Sequence, residues 1–119
     1  MNERFILNVV FFRTGTGREP VRQWLQNLDK ADKKAIGEDI KLVQSRWPLG
    51  MPLVRKMETD LWEVRSHLRR RRIARILFTV DGNEMVLLHG FIKKSQATPQ
   101  KDLNLARNRR NLWQSGRAT

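Results

Sequence analysis

Arg72-Ile73-Ala74-Arg75-Ile76-Leu77-Phe78-Thr79-Val80-Asp81-Gly82-Asn83-Glu84-Met85-Val86-Leu87-Leu88-His89-Gly90-Phe91-Ile92 is the stretch whose reading decides the fold. Two apolar runs rich in branched and aromatic residues flank Asp81-Gly82-Asn83, whose residue types suit a tight reversal. Strands over Arg72 to Val80 and Glu84 to Ile92, joined as a β-hairpin, follow from that pattern. Just upstream, Leu61 to Ser66 predicts another strand. Before it, Pro48 to Asp60 holds Pro48, Gly50 and Pro52 and reads as a loop returning the chain to the sheet.

Further out the period changes from two to about four. Pro20 suits a first helical position, and Val21, Trp24, Leu25 and Leu28 share one helical face. Asp29 offers an N-cap for a second helix marked by Ile36, Ile40, Val43 and Trp47, which Pro48 stops. Phe5 to Phe12 is a short apolar run ended by Thr14-Gly15-Thr16-Gly17, as expected of a buried strand. Beyond the hairpin, Thr98 and Pro99 open a helix with Leu103, Ala106, Arg110 and Trp113 on its inner stripe. Gln114 to Thr119 reads as a frayed tail. The predicted order is β-α-α-β-β-β-α: an α+β domain over residues 1–119, with helices on one face of a mostly antiparallel sheet.

Charge is the strongest signal in the composition. The 119 residues carry 24 Lys plus Arg against 12 Asp plus Glu, a formal net charge of +12. Such an excess favours polyanionic partners, and it is larger after residue 59 than before it. No cysteine is present, which excludes disulfides, thiol nucleophiles and cysteine-ligated zinc. The apolar N-terminus lacks the pattern of a signal peptide, and no segment reaches the roughly 20 apolar residues of a membrane span. A cytoplasmic protein without membrane partners is expected.

Metal chemistry is poorly supplied. His67 and His89 are the only histidines, with no carboxylate cluster at ligand spacing, so neither a metal nor another cofactor is expected. Strand parity instead groups Glu63 with Arg65, sets Arg75 between Ile73 and Leu77, and puts His89 and Lys93 in phase with Phe91. On a sheet face left open by the helices these would form a basic concavity, with Lys94 and the run Arg69-Arg70-Arg71-Arg72 at its rim. The run is suited to gripping phosphates, though such runs are often merely solvated loops. A histidine in an apolar strand is ordinarily structural, and Trp24, Trp47, Trp62 and Trp113 read as core.

The segments Leu61-Trp62-Glu63-Val64-Arg65, Arg75-Ile76-Leu77-Phe78 and Leu88-His89-Gly90-Phe91-Ile92-Lys93-Lys94, followed by Thr98-Pro99, together resemble the phage-derived HigB-like branch of the RelE/ParE toxin superfamily. The likeness spans nearly the whole chain. It implies a RelE-like fold and the toxin of a type II toxin–antitoxin pair: an endoribonuclease, or mRNA interferase, that cleaves messenger RNA on the ribosome without a metal. A helix-turn-helix DNA-binding antitoxin is the implied partner. The functional positions carried over are Glu63, Arg65, Arg75, His89, Lys93 and Lys94. One departure is Phe78, where the family often has tyrosine; this chain has none.

Metal-free RNA cleavage needs a base for the 2′-hydroxyl, cations for the transition-state phosphate and a donor for the leaving oxygen. Arg65 and Arg75 suit the phosphate, since guanidinium can bind two phosphoryl oxygens. His89, Glu63 and Lys93 remain alternatives for the base. Arg69 to Arg72, Lys101, Arg107, Arg109 and Arg110 are expected to form a ribosomal RNA docking surface. The rival readings are a ParE-like inhibitor of gyrase and a non-catalytic nucleic-acid-binding module.

Overall fold

The computed structural model describes residues 5–117. Met1 to Arg4, and Ala118 and Thr119 of the expected tail, lie outside the described residues. Five strands and three α-helices follow in the order β1 (Asn8–Phe11), α1 (Pro20–Gln26), α2 (Lys30–Arg46), β2 (Val54–Glu58), β3 (Leu61–His67), β4 (Ile73–Asp81), β5 (Glu84–Lys93) and α3 (Gln100–Arg117). The strands form one sheet in the order β1-β5-β4-β3-β2. Pairing is antiparallel except between β1 and β5, so the sheet is mixed.

The expected hairpin forms as β4 and β5, with Asp81 opposite Glu84 and Gly82 at φ 61°. A glycine tolerates that left-handed conformation at the first central position of the turn without a Cβ clash. Pro20 begins α1 as expected. Asp29 occupies the N-cap position of α2, but its side chain makes no capping hydrogen bond.

Three expectations are corrected. Residues expected in a loop, Val54–Glu58, instead form edge strand β2 against β3, so the order gains a strand. Val-Arg-Lys-Met-Glu lacks an apolar alternation that would announce a strand; its pairing with β3 supplies the order, and the charges suit an exposed edge. The C-terminal segment does not fray from Gln114 but continues α3 to Arg117. Most consequential, the helices are not on one face.

Helices α1 and α2 cover one side, where Val21, Ile36, Ile40 and Val43 pack with Val64, Ala74, Ile76, Phe78, Met85 and Leu87. Helix α3 covers the other through Leu103, Ala106 and Trp113, packed on Leu61, Leu77, Val86 and Leu88. β4 is buried continuously from Ile73 to Thr79. A strand apolar on both faces needs cover on both, so the open basic concavity expected from parity does not exist. Trp62, expected in the core, lies on the α2 side, 5.0 Å edge-on to Trp47 and 6.0 Å from Phe78.

The glycine of the His-Gly-Phe segment has a packing reason. Trp24 of α1 lies flat enough on β5 that a Cβ at Gly90 would stand 2.5 Å from its ring. Gly90→Ala should therefore cost about 1–3 kcal/mol of stability, the usual range for overpacking, measured as a lowered urea midpoint at unchanged slope; the companion Trp24→Leu change should relieve part of that loss.

Candidate active site

The polar residues expected to converge do so on the α3 side of the sheet. In β3 and β4, Arg65 pairs with Arg75 and Glu63 with Leu77. In β5, Phe91 pairs with Arg75 and His89 with Leu77. A bulge decides the placement of His89: Phe78 pairs with Leu87 while Leu77 pairs with His89, leaving Leu88 extra. Leu88 and His89 consequently both address α3, whereas Leu87 packs on the opposite side.

Glu63 and Arg75 are completely buried. The Glu63 carboxylate accepts from Arg65 Nε at 2.9 Å and from the Thr98 hydroxyl. Thr98, expected where the last helix opens, thus contributes its hydroxyl to the centre. Arg75 Nη2 donates to the Ser95 carbonyl, and Arg65 Nη2 to that of Gln96. Arg75 Nε and Nη1, by contrast, are buried with no protein partner among the described residues. The guanidinium lies 5.8 Å from the Phe91 ring centroid, and His89 stacks on the same ring at 5.5 Å. Phe91 is thus a shared aromatic neighbour of Arg75 and His89.

His89 Nε2 lies 2.7 Å from Asp102 Oδ1 on the first turn of α3. Burial pushes the imidazole below its ordinary value of 6.5, against the opposing pull of the Asp102 carboxylate. Burial, reinforced by the adjacent Arg65, likewise lowers Arg75 from its ordinary value.

The remaining candidates divide. Lys93 is half-buried at the end of β5 opposite Ile73. Lys94 lines a separate cleft of about 460 Å³ with Asp29, Arg69, Arg70 and Arg72. Arg69, Arg70 and Arg71 are exposed at the tip between β3 and β4, with Arg70 and Arg71 in the left-handed region at φ 63° and 60°. Arg72 departs from the expected rim role: its guanidinium binds both oxygens of Asp32 on α2, at 2.8 and 3.0 Å. That pairing holds Asp32 below the ordinary carboxylate value and fastens the tip to α2.

The expected docking surface on α3 is also reduced. Arg107 and Arg110 bind Glu58, while Arg109 donates to the Leu88 carbonyl at 2.8 Å. These arginines hold α3 to the sheet. Asp102, Thr98 and Arg109 were absent from the expected site. A signal existed for two of them: Asp102, Ala106, Arg109 and Trp113 recur at helical spacing, on the buried stripe. Among the described residues, no group of three His, Asp or Glu side chains is positioned to hold a metal ion, and no helix is long and apolar enough to cross a membrane.

Fold and site define a small α+β domain with an arginine, glutamate and histidine centre built on a sheet face. A family model described as phage-derived protein Gp49-like (DUF891) matches residues 23–111. The chain belongs to that family, which lies within the RelE/ParE-like toxin superfamily. No curated protein gives a significant match.

The His89 environment sets a pH dependence. Because its folded value lies below the unfolded 6.5, the unfolded chain takes up the proton first as pH falls. Stability associated with His89 is full above 6.5 and is lost as pH drops through that value toward the lower folded one. Comparing urea unfolding of the native chain and His89→Gln at pH 7.5 and 5.0, the native chain should lose more stability; parallel losses would remove His89 as the cause.

Proposed function

We propose that this protein is a type II toxin of the HigB-like branch, a ribosome-dependent endoribonuclease that cleaves messenger RNA without a metal. Membership of a toxin-type family supports the class. The single observation that carries the chemistry is the buried Arg75 guanidinium, with two nitrogens free of protein partners among the described residues, close to Glu63 and Arg65 and facing the Phe91 ring on which His89 stacks. Once Nη2 is released from the Ser95 carbonyl, it pairs with either free nitrogen to offer one phosphate two parallel N–H donors.

In this reading the 2′-hydroxyl oxygen attacks the adjacent phosphorus as its proton passes to a base. The bond to the 5′-oxygen breaks, leaving a 2′,3′-cyclic phosphate and, after proton return, a 5′-hydroxyl. Arg75 and Arg65 offset charge on the phosphorane-like transition state. His89 is the favoured base among the three candidates: it lies at the centre, and an imidazole with a lowered value is uncharged at neutral pH. His89 shares a cross-strand row with Glu63 through Leu77, whereas Lys93 stands opposite Ile73 at the end of β5, and Glu63 is engaged by Arg65 and Thr98.

Access requires residues 95–98 to move, because the Ser95 and Gln96 carbonyls and the Thr98 hydroxyl engage the same three side chains. A phosphate is a stronger acceptor for guanidinium than a neutral carbonyl, so substrate can replace those contacts. A ribosome holding the message supplies the pose, and weak cleavage of free RNA follows. Lys94 and Arg69 to Arg71 then serve as the phosphate-gripping surface. An antitoxin, a helix-turn-helix DNA-binding protein in this reading, neutralises the toxin by binding it in the cytoplasm.

The complete burial of Glu63 and Arg75 is the observation favouring the gyrase-inhibitor alternative, in which the cluster only holds the fold. Mapping messenger RNA 5′ ends after induction separates the two. Codon-phased cuts on translated messages are expected, with Arg75→Ala reducing cleavage on the order of a hundredfold to a thousandfold; intact messages with stalled replication would establish the gyrase reading.

A further inference from the structure

Asp102 has no part in the centre as read from the sequence, yet α3 delivers it there. Its first turn begins immediately after Pro99, whose carbonyl accepts from the Asp102 and Leu103 amides, and it places the Asp102 side chain inward, 93% of the residue removed from solvent. Oδ1 meets His89 Nε2 at 2.7 Å. Oδ2 is buried without a protein partner, as are Arg75 Nε and Nη1, and Asp102 acts electrostatically on Arg75. The unpartnered buried side-chain atoms among the described residues thus belong to these two groups alone.

An ionised carboxylate accepts only, so the hydrogen in the 2.7 Å contact must sit on His89 Nε2. In a neutral imidazole that leaves the lone pair on Nδ1. Nδ1 has no protein partner among the described residues, and the side chain remains 16% exposed. Stacking on Phe91 then restricts rotation of the ring. The charged groups acting on His89 are Asp102 and Arg109, both from α3; Arg75 of β4 faces the same Phe91 ring.

We propose that Asp102 is a positioning residue that holds His89 as the Nε2–H tautomer and so makes Nδ1 the basic nitrogen of the centre. The inference rests on the nuclease reading for its catalytic meaning, but the tautomer can be read without activity. In ¹⁵N-labelled native protein at pH 7.5, long-range proton–nitrogen correlation should show His89 protonated on Nε2. Asp102→Asn should populate both tautomers and lower kcat for ribosome-bound message by at least about a hundredfold, with KM within about twofold. Asp102→Glu should restore part of both signals.

An Nδ1–H tautomer in the native protein overturns the proposal, as does an Asp102→Asn protein with unchanged spectrum and kcat. If Asp102→Asn fails to fold, the native tautomer alone decides. An inactive native chain that shows the Nε2–H tautomer, lost in Asp102→Asn, supports the positioning and sinks the nuclease reading.

Discussion

A guanidinium on the central strand of a sheet, fully removed from water, must be surrounded by acceptors and opposite charge or the fold does not tolerate it. Arg75 imposes that condition here. Glu63 supplies a nearby negative charge, Ser95 a carbonyl, Phe91 a ring face and Asp102 a second carboxylate. Each comes from a different element: β3, the segment after β5, β5 itself and α3. The seating of α3 on the sheet and the path of residues 95–98 are therefore part of the same arrangement that buries the arginine.

Positive charge in this chain has two distinct uses. Arg65, Arg72, Arg75, Arg107, Arg109 and Arg110 bind groups of the protein itself. They join β3, α2 and α3 to the rest through oxygen acceptors, and Arg65, Arg72, Arg107 and Arg110 do so in bidentate or multiple contacts that lysine cannot reproduce. Arg69, Arg70, Arg71 and Lys94 remain exposed at one end of the sheet. The left-handed conformation of Arg70 and Arg71 is uncommon for residues with a side chain. Arg72 stabilises that turn from both sides, holding Asp32 across to α2 and the Arg69 carbonyl within the tip.

The centre is closed by a segment of low burial. Ser95, Gln96 and Ala97 are exposed, while the residues they cover are not. Segments with few apolar contacts open at much lower free energy than the core. The apolar anchors of α3 lie further along, at Leu103, Ala106 and Trp113, so the strap can yield while the helix stays seated. Neutral carbonyls bind guanidinium more weakly than phosphate does, and in the proposed function a polyanion displaces the strap.

Much of this was legible in the sequence because local rules govern it. The Asp81-Gly82-Asn83 reversal depends on turn chemistry within four residues, and the grouping of Glu63 with Arg65, and of His89 with Phe91, follows from strand parity. The edge strand Val54–Glu58 was not legible, since only β3 gives its charged residues a reason to extend. Asp102 was hidden for another reason: an acid in a helix's first turn already has an explanation in the helix dipole.

By itself, then, the sequence determined the elements around the hairpin, the set of polar residues that share a face, the lack of thiol chemistry and the basic character. Tertiary structure alone decided that this face lies beneath α3 rather than open to solvent, that a bulge turns Leu88 and His89 to the same side, and which arginines are spent on the chain's own carboxylates. The physical reason is range: turn and strand periodicities act between near neighbours, whereas a buried charge is satisfied by whichever distant element brings an oxygen to it.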